Sequence, residues 1–131
     1  MIVSVLALMG CDQTVNTISR AQPEGKPKVV SDKRIITDES LNAYVQPLDV
    51  SESVVSGDLT KIQVTVYNSQ SHAQTFYYKF EWYDDQEMYV DTPMSIWTDR
   101  TIQGGEEISL VGVGPNPRCK DFKLKLELSP N

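Results

Sequence analysis

Strict alternation of apolar and polar side chains is the feature that most constrains the fold of this chain. Residues 122–128 read FKLKLEL, in which Phe and Leu alternate with charged residues without exception. Because successive side chains of a β-strand point to opposite faces, this pattern predicts a strand with one buried and one solvated face. Residues 75–83, TFYYKFEWY, alternate in the same way. No segment carries a helical stripe longer than about two turns, so the chain is expected to be all-β.

Several further segments carry the same period of two, and turn residues separate them. Residues 59–68 place Ile62, Val64 and Val66 on one face. Six or seven such strands in the last 97 residues, with turn signals about every 10 residues, predict an immunoglobulin-like antiparallel β-sandwich. The other predicted strands are residues 43–50, interrupted by Pro47 as an edge or bulge position allows, residues 88–90 and residues 107–113.

The strands at residues 59–68 and 75–83 also lead to a predicted pairing. Residues 69–74 connect them, a length that suits a hairpin, so the two strands are expected to be direct antiparallel partners. The predicted core consists of the inward-facing aromatic and leucine side chains of the two most regular strands. These are Phe76, Tyr78, Phe80, Trp82, Phe122, Leu124 and Leu126.

The N-terminal residues indicate where the protein resides. Residues 1–11 read MIVSVLALMGC, an uncharged apolar stretch that ends in Gly10 and Cys11. It is shorter than the roughly 20 residues of a membrane-spanning helix but fits the apolar region and cleavage site of a secretory signal. The residues LMGC resemble the lipobox of bacterial lipoproteins, in which signal peptidase cuts before a cysteine that carries lipid. A buried N-terminal strand with a core cysteine is the alternative, which the polar segment that follows disfavours.

Residues 12–34 predict a linker between this signal and the sandwich. They are polar, contain Pro23, Gly25 and Pro27, and show no sustained period. The lipobox resemblance and this composition together predict three parts. These are a signal peptide at residues 1–10, the lipidated Cys11 with a flexible linker at residues 11–34, and a β-sandwich at residues 35–131.

Charge and cysteine content exclude several classes of protein. The chain has 12 Lys and Arg against 18 Asp and Glu, a net charge of −6, which disfavours binding to a nucleic-acid backbone. Cys11 and Cys119 are the only cysteines, too few for a disulfide framework or for a closed zinc site of about four ligands. Cys119 follows a Pro-rich turn at the start of a strand and is expected to be buried.

Several of these segments together resemble the YcfL family of uncharacterised bacterial lipoproteins. The most specific part is the Y-x-F-x-W-Y-D pattern from Tyr78 to Asp84. The IQGGE turn, the EISLVGVGP strand and the final FKLKLEL add to it, so that the resemblance covers about residues 38–128 and the lipobox. It implies a periplasmic immunoglobulin-like sandwich on a lipid anchor, and it brings no catalytic motif.

The sequence offers few candidates for chemistry. His72 is the single histidine and lies in a predicted turn beside Ser69 and Ser71, and nearness in sequence alone does not make a nucleophile and base. Carboxylates in and after a second turn, at Asp84, Asp85, Glu87 and Asp91, could offer oxygen ligands to Ca²⁺, but they lack the spacing of a dedicated loop. We therefore expect no enzyme activity, no cofactor and no metal site.

Outward-facing tyrosines are the remaining candidates for function. Tyr77, Tyr83 and Tyr67 are predicted to lie on neighbouring strands of a solvent-exposed face. Such residues can stabilise a sheet through cross-strand contacts, or they can form the rigid anchors of an interface. Both roles stay open at the level of sequence.

These observations predict a lipid-anchored binding or scaffolding domain of the bacterial cell envelope. It would be held by Cys11 at the periplasmic face of the inner or outer membrane and would contact another envelope protein. The alternative is a protein that binds or senses a small envelope ligand such as a glycan fragment, a lipid or a cation.

Overall fold

A computed structural model describes residues 32–129, which form eight strands and one short helix. Every strand bound predicted from alternation lies within two residues of an observed one, except the end of the strand predicted at residues 43–50, which continues to Val55. In chain order the elements are β1 (Ile35–Thr37), α1 (Glu39–Asn42), β2 (Val45–Val55), β3 (Leu59–Asn68), β4 (Gln74–Tyr83), β5 (Tyr89–Val90), β6 (Thr98–Ile102), β7 (Glu107–Val113) and β8 (Asp121–Glu127).

The strands form two sheets, which confirms the predicted β-sandwich. Sheet I has the order β1, β8, β4, and both β5 and β6 pair with the remaining edge of β4. Sheet II has the order β2, β3, β7. All pairs are antiparallel except β1 with β8, where three residues of each strand run in parallel. The strand β1 and the strand β6 are additions to the six predicted from sequence.

A single hydrophobic core fills the space between the sheets. Side chains of β3 in sheet II, including Ile62 and Val64, share it with Phe76 and Trp82 of β4 in sheet I. The predicted core is confirmed for six of its seven residues, and Tyr78 is half-buried against it instead. The two sheets approach closely enough at Gly112 of β7 to require a glycine, because a Cβ there would lie 2.6 Å from the ring of Phe80 on β4.

The predicted pairing of β3 with β4 is wrong. β3 pairs with β2 and β7, whereas β4 pairs with β8, β5 and β6 in the opposite sheet. Both strands have an apolar face that must be covered, and placing them in different sheets lets each cover the other. The chain changes sheets in the connection that follows Asn68, whose buried side chain accepts from the main-chain N–H of Gln70 at 2.9 Å and donates to the main-chain oxygen of His72 at 2.9 Å.

Two smaller predictions are confirmed. Pro47 lies in β2, an edge strand of sheet II, and the register of β2 against β3 shifts between Pro47 and Asp49, as in a β-bulge. Cys119 is fully buried, and its thiol lies 3.8 Å from the side-chain oxygen of Asn116.

Arg34, directly before β1, links the two sheets at one end of the sandwich. Its guanidinium lies 3.1 Å from Asp32, 3.3 Å from Asp121 of β8 and 3.8 Å from Glu52 of β2. It also lies 4.6 Å from the centre of the Phe122 ring. The hydrogen bond from Arg34 holds the pKa of Asp32 below its usual value, against the opposing effect of partial burial.

Candidate interaction surface

The outer face of sheet I carries the side chains of β4 that point away from the core. Tyr77 and Tyr83 both lie on this face, half-buried, six residues apart along one strand and hence about 20 Å from each other. Tyr77 has Asp99 and Glu127 as its cross-strand neighbours. The structure therefore places two of the three predicted tyrosines on one face, at its two ends.

Tyr67 does not belong to this surface. It lies on β3 in sheet II, where Gln46 and Glu107 are its cross-strand neighbours. The prediction that all three tyrosines occupy neighbouring strands is wrong, because it rested on the pairing of β3 with β4. Tyr67 is thus on the opposite outer face of the sandwich.

A charged cluster lies between the two tyrosines of sheet I. The carboxylate of Glu81 is 3.4 Å from Lys79 on its own strand and 3.2 Å from Lys125 on β8, and only 13% of the Glu81 side chain is exposed. Burial would raise the pKa of Glu81, but hydrogen bonds and charge from Lys125 and Lys79 outweigh it and hold the pKa below its usual value. The hydroxyl of Tyr83 adds a long hydrogen bond to Glu81, at 3.4 Å.

Lysine side chains also cover aromatic rings on this face. The ammonium of Lys79 lies 4.8 Å from the centre of the Trp97 ring, and that of Lys123 lies 5.0 Å from the centre of the Tyr83 ring. These distances are within the range of cation–π attraction. The outer face of sheet I is therefore a layer of aromatic and charged side chains that contact one another.

The edge of this layer exposes apolar side chains. Tyr89 of β5 packs edge-on against Tyr83, with ring centres 5.8 Å apart, and is itself 49% exposed. Of the nine large hydrophobic side chains exposed among the described residues, four lie in residues 88–97, which we name the 88–97 edge. They are Met88, Tyr89, Met94 and Ile96.

The turn before β5 uses its first carboxylate to hold the backbone. The side chain of Asp84 accepts hydrogen bonds from the main-chain N–H groups of Met88, at 3.0 Å, and Gln86, at 2.9 Å. These bonds lower the pKa of Asp84, with Met88 contributing most. Among residues 32–129, no three His, Cys, Asp or Glu side chains are grouped so that they could hold a metal ion.

The other predicted candidates are placed as follows. His72 is exposed, and its Nδ1 lies 3.3 Å from the main-chain oxygen of Ala73. The hydroxyl of Ser69 donates to the main-chain oxygen of Tyr44, at 3.3 Å, so this serine is engaged with the backbone rather than with His72. Cys11, the predicted lipid attachment site, lies outside the described residues. No helix within the described part of the chain is long and apolar enough to cross a membrane.

Sequence reasoning missed Glu81 and the 88–97 edge. Alternation assigned Glu81 to the solvated face, and its partial burial arises from Lys125 on β8 and Lys79 two residues before it. Met88, Tyr89, Met94 and Ile96 are visible in the sequence as apolar residues between β4 and β6. Only the position of β5 at the edge of sheet I shows that they are exposed.

Comparison with known structures supports the same fold. A DUF1425 family member from Shewanella sp. pv-4 matches 66% of this chain and 80% of its own, with 20% identity and a TM-score of 0.60. The Campylobacter jejuni protein cj0090 matches 75% of this chain and 100% of its own, with 18% identity and a TM-score of 0.65. No curated protein is significantly similar. The family described as "Protein of unknown function (DUF1425)" matches residues 32–128, and the chain therefore belongs to the DUF1425 family.

Proposed function

We propose that this protein is a non-catalytic, lipid-anchored periplasmic domain that binds or scaffolds another protein of the cell envelope through the outer face of sheet I. The observation that carries the proposal is the 88–97 edge, in which four apolar side chains are exposed and one of them, Tyr89, packs against Tyr83. Tyrosine is enriched at protein interfaces, and methionine adapts to irregular partner surfaces.

The anchoring part of the proposal rests on the sequence. Residues LMGC resemble a lipobox, and the resemblance to the YcfL family of bacterial lipoproteins agrees with it. After cleavage Cys11 would carry the acyl chains, and two or three chains hold a protein stably at a membrane. A linker that ends before Asp32 would then separate the membrane from the sandwich, so that the face of sheet I remains accessible to a partner.

The anchoring is tested by cell fractionation. Cys11→Ala should move the protein from the membrane to the soluble periplasmic fraction. Cys119→Ala is the matched control, because this buried thiol takes no part in lipid attachment, and its fractionation should equal that of the unmodified protein. A Cys11→Ala protein that stays in the membrane fraction contradicts the lipid anchor.

The binding surface is tested with a photo-reactive phenylalanine analogue in place of Tyr89, with illumination of intact cells. We expect an adduct of defined mass that is lost when Met88→Lys is added. The control carries the analogue at Val54, which is 65% exposed on β2 of the other sheet and should give no such adduct. If no adduct forms, but an envelope glycan, lipid or cation raises the melting temperature, a ligand-binding function replaces the scaffold.

A further inference from the structure

We propose that two copies of this chain associate through the exposed edge of β7 and so join their three-stranded sheets into one continuous sheet. Within residues 32–129, β7 pairs with β3 on one side, and no strand pairs with its other side. The edge lies on sheet II, away from the surface proposed above for the envelope partner. The inference is therefore independent of that function.

The hydrogen-bonding pattern shows which backbone groups of β7 are available. Gly114 donates from its main-chain N–H to Thr60, and Asn68 donates in the same way to Glu106. Both bonds belong to the register of β7 with β3, so the even-numbered residues of β7 direct their backbone groups at β3. In an antiparallel pair the residues alternate, and the odd-numbered residues therefore direct theirs outward. These residues are Glu107, Ser109, Val111 and Val113.

The other strand edges are protected, whereas that of β7 is not. The β2 edge contains Pro47, a register shift and the charged residue Glu52. The β1 and β5 edges have only three and two residues, and β6 carries Asp99 and Arg100. Residues 108–113 contain no charge, no proline and no register shift. Natural sheets avoid edges of this type because such edges pair with other strands.

The side chains on the edge fit a second copy of the same strand. Val111 and Val113 are 44% and 38% exposed, and a neighbouring strand would cover them. If the two-fold axis passes through Val111, each Val111 faces its counterpart and each Ser109 faces a Val113. This register directs the outward N–H and C=O groups of all three residues at the partner.

Charge and chain geometry also agree with this register. Glu107 is the single charged residue of β7, and the register places the two copies of Glu107 eight residue steps apart along the strand, about 26 Å. That separation exceeds the screening length of about 8 Å at physiological ionic strength, so the two carboxylates do not repel strongly. Pro115, which lacks an N–H, ends the pairing on each side. One strand pair is a small interface, and we expect a reversible dimer.

The test is disulfide cross-linking of the full chain in cells with a thiol oxidant. Paired residues on hydrogen-bonded antiparallel strands have Cα atoms about 5.5 Å apart, within the range of a disulfide. Val111→Cys should give a covalent dimer. The unmodified chain shows the background from Cys11 and Cys119, and Val54→Cys, an exposed valine on β2, is the matched control.

The register is tested by two further variants. Ser109→Cys alone and Val113→Cys alone should give only background dimer, because identical residues at these positions are about 13 Å apart in the proposed register. When the two variants are expressed together with different tags, a mixed dimer should form. Equal cross-linking by Val111→Cys and Val54→Cys, or cross-linking of Ser109→Cys by itself, overturns the proposal.

A substitution that blocks pairing gives an independent measurement. Two differently tagged copies of the chain should co-purify, and Val111→Lys should abolish this, because edge lysines prevent strand addition. Val54→Lys should leave it unchanged. Co-purification that survives Val111→Lys, or that is absent from the unmodified chain, contradicts the dimer. If a strand of another protein binds this edge instead, Val111→Cys should give an adduct whose mass differs from that of the dimer. That result would also overturn the pairing of two copies.

Discussion

The side-chain amide of Asn68 donates a hydrogen bond to the main-chain oxygen of Ile102, at 3.0 Å. Asn68 is the last residue of β3 in sheet II and Ile102 is the last residue of β6 in sheet I. The main-chain oxygen of Asn68 also accepts from Gly105, at 2.9 Å. One buried asparagine thus fixes the end of the sandwich where the chain crosses from one sheet to the other.

Replacement of Asn68 should destabilise the domain strongly. Asn68→Ala removes the donors for His72 and Ile102 and the acceptor for Gln70, so that the buried oxygen of Ile102 and two partly buried backbone groups lose their partner. We expect a loss of roughly 2–4 kcal/mol in the free energy of unfolding, since an unsatisfied buried group costs about 1–3 kcal/mol. Urea unfolding of the Cys11→Ala chain, with and without Asn68→Ala, measures this loss. Gln70→Ala, a control that keeps the backbone N–H, should lose much less.

The contact between Gly112 and Phe80 predicts that substitutions at these two positions have non-additive effects on stability. Gly112→Ala would place a methyl group against the Phe80 ring and should cost about 1–3 kcal/mol through overpacking. Phe80→Leu shortens the ring side chain and opens space at the same point. The double variant should therefore be more stable than the sum of the two single losses implies. Additive losses in the unfolding experiments would show that the two residues do not compete for that space.

The Glu81 cluster predicts a pH dependence of stability. Because the pKa of Glu81 lies below its ordinary value of 4.5, its contribution is complete above pH 4.5 and is lost as the pH falls through the lowered value. Glu81→Gln should lose about 1 kcal/mol at pH 7, since Lys79 and Lys125 then lack their carboxylate. The difference from the unmodified protein should shrink in acid. Glu107→Gln, at an exposed position, is the control for the substitution itself, and its loss of stability at pH 7 should be much smaller.

Burial of Cys119 predicts a slow reaction of its thiol. In the Cys11→Ala chain Cys119 is the only cysteine, and it is fully buried. Labelling by a thiol reagent should require opening of the domain and should be at least about 10³-fold slower in buffer than in urea. Rapid labelling in buffer would mean that the region around Cys119 opens without global unfolding.

Alternation along the chain predicted where the strands lie but not which strands pair with each other. It located β3, β4, β7 and β8, because each has one face in the core and one in solvent. Alternation is a property of one strand, however, and says nothing about which sheet the strand joins. The short connection between β3 and β4 favoured a hairpin, whereas the buried Asn68 provides the polar contacts that a change of sheet requires.

The alternation of apolar and polar residues could not predict the short elements or the clusters of side chains on the surface. The strand β1 has three residues, too few to show a period, and it is stabilised by pairing with β8 far along the chain. Helix α1 is a single turn capped by Asp38, whose carboxylate accepts from Leu41 at 2.8 Å. Glu81 acquires its environment from Lys125, 44 residues later, which no local pattern can reveal.

Arg34 and β1 determine how the domain responds to mechanical load. A pull on the residues before Asp32 enters the sandwich through β1, which runs parallel to β8 and is bonded to it from Arg34 to Asp38. A force along β1 therefore loads these hydrogen bonds together, in shear, instead of peeling them apart one at a time. The contacts of Arg34 with Asp121 and Glu52 connect this end of β1 to both sheets. The sandwich is thus reinforced at the point where its N-terminal segment would transmit tension.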